Sequence, residues 1–142
     1  MEYIIHFEDF FLKIKVKVFM EDIRLSSNTI MEVTVQSDGF SATTTMDIDI
    51  KELAKFALDL THICEILSGE ARIEEPYGMH MYLSFIGNGR GHIAVKGYLH
   101  KNNCVGNEQI LEFENDIDQT GLKKFSYDLF NDCKKYNIKL SY

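Results

Sequence analysis

Residues 47–60 read DIDIKELAKFALDL, and residues 116–129 read DIDQTGLKKFSYDL. The stretches share Asp47/Asp116, Ile48/Ile117, Asp49/Asp118, Leu53/Leu122, Lys55/Lys124, Phe56/Phe125, Asp59/Asp128 and Leu60/Leu129, and Cys64/Cys133 keep the same spacing. The offset is constant at 69, about half of the 142 residues. Any two capped amphipathic helices share an apolar stripe. Shared Asp, Lys and Cys away from the core positions argue instead for an internal duplication.

Each copy predicts a strand running into a helix. Asp49 and Asp118 are N-cap residues, because their carboxylates accept from the first free amides. Glu52 adds a capping-box partner. Leu53, Phe56, Ala57, Leu60, Ile63, Cys64 and Leu67 form one helical stripe, with Gly69 as its stop. Leu122, Phe125, Leu129, Cys133 and Tyr136 form the second, with Asn137 as its stop.

The rest alternates with period two. Leu12, Ile14, Val16 and Val18 are separated by Lys13, Lys15 and Lys17, a half-buried strand. Met31, Val33 and Val35 mark a second, and Phe40, Ala42, Met46 and Ile48 share one face of a third. Further strands are expected near 70–75, 79–86, 92–100 and 108–117, with short ones at 3–7 and 138–142. The expected fold class is α+β: a mainly antiparallel sheet with two helices on one face, a (ββββα) duplication, in one domain over residues 1–142.

Residues 87–92, GNGRGH, look like a phosphate loop, but such a loop must open a helix. Ile93, Ala94 and Val95 continue as a strand, so the glycines predict a hairpin, with Phe85 set opposite Ile93. In that register His92 faces Ile86 and His80 faces Tyr98, and His80 and His100 are diagonal neighbours at best. The five histidines therefore do not converge as a zinc site requires. No nucleophile has a base at a recognisable spacing, and no GxSxG elbow is present. The sequence points to no catalytic residue, no metal site and no cofactor.

Cys64, Cys104 and Cys133 are an odd number without CxxC spacing, as expected of reduced thiols in a cytoplasmic protein. The opening MEYIIHFEDFF has no basic segment and is not read as a secretory signal. The apolar runs are too short to span a membrane. Fifteen Lys and Arg against 22 Asp and Glu give a formal charge of −7, which disfavours a nucleic-acid partner. The same charge suits a basic protein partner, although solubility alone accounts for many acidic surfaces.

Glu112, Glu114 and Asp116 alternate with Leu111, Phe113 and Ile117. Parity sends the apolar set inward and the three carboxylates outward, on the same outer face as Tyr82 and Tyr98. The five residues are the candidate partner-binding set. A solvated outer face is the plain alternative. Pairing of the acids with Lys13, Lys15 and Lys17 is another, if those rows are adjacent.

LSGEARIEE at 67–75, MHMYLSF at 79–85, GNGRGHIAVKGYL at 87–99 and DQTGL at 118–122 occur in order. In L-S-G-x-A, G-x-G-R-G-H-I-x-V-x-G-x-L and D-Q-T-x-L the chain resembles the WapI family, immunity partners of bacterial wall-associated polymorphic toxins. The likeness covers about the last three-fifths of the chain; the first 40 residues match only in pattern. The resemblance implies a non-enzymatic binding protein that neutralises a cognate toxin domain. Such toxins are often nucleases with basic clefts, which an acidic inhibitor suits. The alternative is a small-ligand-binding or enzymatic domain with a pocket between sheet and helices.

Overall fold

Among the described residues, alternation and helical stripes produce eight strands and two α-helices, arranged in chain order as two similar series. The computed structural model describes residues 1–78 and 80–136. The first series is β1 (Glu2–Phe7), β2 (Phe10–Val18), β3 (Thr29–Ser37), β4 (Phe40–Ile48) and α1 (Ile50–Ile66). The second is β5 (Ser68–Glu74), β6 (Tyr82–Asn88), β7 (His92–Asn102), β8 (Glu108–Asp118) and α2 (Gln119–Cys133). The expected strand at 138–142 and the helix stop at Asn137 lie outside the described residues.

The α+β class and the antiparallel pairing are as expected. The strands divide between two sheets, β1-β2-β3-β4 and β5-β6-β7-β8. The registers repeat. Tyr3, Ile14, Val33 and Thr44 stand side by side across the first sheet. Ile73, Leu83, Gly97 and Phe113 do so across the second. Chain length is distributed differently within this shared plan. The connection at 19–28 between β2 and β3 answers to a tight turn at 89–91, and the turn at 38–39 answers to a longer one at 103–107.

The sheets close on each other through their last strands. Thr44 Oγ1 on β4 donates to the His100 carbonyl of β7 at 2.7 Å, and the Asp47 amide donates to Glu75 Oε2 at 2.9 Å. In return, Asn115 Nδ2 on β8 donates to Ser37 Oγ at 2.6 Å, and Phe113 packs on Phe10 at 5.9 Å. Each terminal strand thus lies across the other sheet. The helices pack on each other and on the opposite edges, α1 against β5 and α2 against β1. Phe56 of α1, Phe85 of β6 and Phe125 of α2 interlock at 5.8 and 6.5 Å. At about 25 cal/mol per Å² of apolar surface removed from water, such rings dominate the stability of the core.

Both caps form as expected. Asp49 accepts from the Lys51 amide, and Asp118 accepts from those of Thr120 and Gly121. Asp49 is also held by Asn28, a fully buried side chain in the 19–28 connection. Asn28 Nδ2 additionally donates to the carbonyls of Ile23 and Leu25, while its Oδ1 accepts from the Ile50 amide and the Thr29 hydroxyl.

Several boundaries differ from expectation. Leu67, not Gly69, ends α1, in a left-handed conformation at φ 61°. That geometry turns its carbonyl to the Gly89 amide at 2.6 Å. Gly87 makes room, since a Cβ there would sit 2.7 Å from that carbonyl oxygen. The glycines of GNGRG therefore serve a hairpin that caps a helix end. Its register also differs: Phe85 pairs with Val95 rather than Ile93, and Tyr98 pairs with Tyr82 rather than His80. A two-residue slip preserves side-chain parity, so periodicity alone does not distinguish the two registers. His80 precedes β6 with φ 58°.

Candidate protein-binding site

Glu112, Glu114 and Asp116 are exposed on the outer face of β8, as parity requires. The cross-strand row containing Glu112 runs Glu74, Tyr82, Tyr98, Glu112, which places both candidate tyrosines between carboxylates. Both rings are half-buried, and the Arg72 guanidinium lies 3.9 Å from the Tyr82 ring centroid. Glu114 has Lys96 opposite at 3.7 Å, an exposed pair worth only a few tenths of a kcal/mol by the usual scale. Asp116 has Ala94 opposite.

Lys13, Lys15 and Lys17 do not neutralise this strip. They lie on β2 in the interior of the first sheet, where Lys15 stands between Glu2 and Glu32. The outward charges of β1–β4 are thus balanced within that sheet. On β5–β8, with the N-cap Asp118 set aside, Glu70, Glu74, Glu108, Glu112, Glu114 and Asp116 outnumber Arg72, Lys96 and Lys101.

Tertiary structure extends the strip. Asp116 shares a surface recess with Glu8 and Asp9 of the β1–β2 turn and Asp38 of the β3–β4 turn. The recess has no cation among its lining residues. Their meeting with Asp116 depends on how the sheets cross. At the other end of β8 a groove separates it from β4. Phe40 and Ile110 line it, and they are 70% and 52% exposed. Phe40 was expected on the core face. It keeps that parity but lies beyond the crossing with β8, where nothing among the described residues covers it.

Two polar groups missed in the sequence sit near this groove. His100, 7% exposed, lines it, and its Nε2 has no hydrogen-bond partner among the described residues. The nearest carboxylate oxygen paired with that nitrogen is Glu108 Oε1, at 3.7 Å. Glu75, the residue after β5, is buried with its Oε2 accepting from the Asp47 amide of β4. Burial pushes its carboxyl above the usual range, opposed by the Asp47 amide and by His100. Among the described residues no group of three or more His, Cys, Asp or Glu converges to hold a metal ion. No helix among them is long and apolar enough to cross a membrane.

An unbalanced acidic strip beside exposed apolar side chains suits a protein contact, where aromatic anchors and complementary charge supply affinity and encounter rate. A comparison with curated proteins returns no match. The family model of WapI-like immunity proteins matches residues 11–137, well beyond the segment in which the motifs were legible. The chain belongs to the immunity protein WapI-like family.

Proposed function

We propose that this chain neutralises a cognate bacterial toxin domain by direct, non-enzymatic contact, with the acidic face of β8 against a basic surface of the toxin. The family membership carries the reading. The charge imbalance of the second sheet supports the choice of face, because unpaired carboxylates at an edge steer a basic partner and cost little to desolvate at the rim. A nuclease, whose cleft must attract phosphate, is the kind of toxin this charge fits.

The space between sheets and helices, where a small-ligand site would need a cavity, is occupied by Phe56, Phe85 and Phe125. The test is protection of cells expressing the toxin domain encoded immediately upstream of this chain's gene. The wild-type chain is expected to protect. The variant Glu112→Lys/Glu114→Lys/Asp116→Lys is expected to lose protection while keeping its thermal midpoint. Full protection by a folded triple variant eliminates this face as the electrostatic contact.

A further inference from the structure

β8 is the last strand of its sheet, with β7 on one side only. Its second half is engaged by the first sheet through Asn115 and Phe113. Its first half, residues 108–112, is exposed except at the half-buried Leu111. Along this half runs the groove whose other wall is β4. Its apolar lining includes Phe40 of β4 and the half-buried Leu111, while Glu108, Ile110 and Glu112 share the outward row of β8. An edge strand with vacant backbone groups is a template for another strand. The buried Nε2 of His100, 3.7 Å from Glu108 Oε1 and without a hydrogen-bond partner among the described residues, marks the groove as a place that a further polar group can enter.

We infer that residues 108–112 pair with an extended segment of the partner, in which basic side chains alternate with apolar ones. The basic residues would meet Glu108 and Glu112, on either side of Ile110 in the outer row, and the apolar ones would enter the groove against Phe40 and Leu111. Backbone pairing supplies affinity in this mode, and alternate side chains supply specificity. Charge selects the occupant. Antiparallel pairing of this edge with a second copy would set carboxylates against carboxylates, which is repulsive. A basic strand meets the opposite condition.

This inference rests on the toxin-neutralising reading and adds its binding mode. The experiment is deuterium exchange on the full chain with and without the same toxin domain, together with affinities of two variants. The variants are Phe40→Ser/Ile110→Ser and Glu108→Lys/Glu112→Lys, with unchanged circular dichroism required of each. Formation of the complex is expected to slow exchange at 108–112, and each variant is expected to weaken binding by tenfold or more. A wild-type complex in which 108–112 exchange as fast as in the free chain overturns the strand pairing and leaves the toxin reading standing. So does binding by both variants as tight as that of the wild-type chain. Failure of the wild-type chain to bind the toxin domain overturns both.

Discussion

The two halves of the chain follow one backbone plan and differ in what they place on it. Across the first sheet a central row reads Tyr3, Ile14, Val33, Thr44; across the second it reads Ile73, Leu83, Gly97, Phe113. In the third and fourth strands, Val33 beside Thr44 is exchanged for Gly97 beside Phe113, and the bulk moves from one strand to its neighbour. The outer faces diverge more. The first is balanced in charge, while the second keeps an acidic surplus. A duplicated scaffold therefore tolerates compensated exchange inside, where volume must be conserved, and departs freely outside, where a partner can act.

The largest expected effect removes a feature that only the first half has. Asn28→Ala should destabilise the chain by about 3 kcal/mol, because several buried groups around the start of α1 lose their partner together. Among the described residues Asp118 has no such buttress, its carboxylate accepting from the Thr120 and Gly121 amides of its own helix. The check is the denaturation midpoint, and a loss below about 1 kcal/mol would show that the connection rearranges to replace the side chain.

Next comes the exchanged pair. A Cβ on Gly97 would lie 2.4 Å from the Phe113 ring. Gly97→Val alone should therefore cost about 2–3 kcal/mol by overpacking. Gly97→Val/Phe113→Thr, which installs the first half's pair, should recover part of that loss, offset by removal of Phe113 from Phe10. A double-mutant cycle measures the coupling. Additive losses would mean that the halves are not interchangeable at this row.

A smaller effect concerns a tie with no counterpart in the other half. Tyr3 on β1 donates to Asp132 Oδ2 on α2 at 2.5 Å. That bond, with Lys135 assisting, holds the Asp132 carboxyl below its ordinary range against the opposing effect of burial. A depressed carboxyl contributes stability above the unfolded carboxylate range and loses it as pH falls through the depressed value. Tyr3→Phe should cost about 1–1.5 kcal/mol at neutral pH, and the curves for the two proteins should converge on acidification. Parallel curves would show that the bond does not set the titration.

The smallest effect tests the symmetry itself. Lys55–Asp59 on α1 and Lys124–Asp128 on α2 are the repeated ion pairs, at 3.1 and 2.6 Å. Lys55→Ala and Lys124→Ala should each change stability by no more than about 0.5 kcal/mol and by similar amounts. Thermal midpoints that differ clearly between them would show that the repeated pairs lie in unlike surroundings.

Strand and helix positions were legible because period two and period 3.6 are local signals. Asp49 and Asp118 announced both helix starts, and the offset of 69 announced the duplication before any contact was known. The hairpin register was not legible, since a two-residue slip leaves Phe85, Ile93 and Val95 on the same face. Nor was the end of α1, where Leu67 accepts an unfavourable φ because Gly89 from a distant hairpin bonds its carbonyl. The candidate site was half legible. Parity alone sent Glu112, Glu114 and Asp116 outward, whereas Phe40 was assigned to the core by a parity rule that says nothing about where cover ends.

By itself, then, the sequence determined the elements, their caps, the face each side chain takes and the repeat, all of which follow from spacing along one chain. Only the tertiary structure decided that the eight described strands make two sheets and that β4 and β8 each cross the other sheet. It also gathered Glu8, Asp9 and Asp38 around Asp116 and left Phe40 and Ile110 uncovered beside His100. Those outcomes depend on contacts between residues far apart in the chain, where packing of two crossed sheets, and no local period, sets which groups meet.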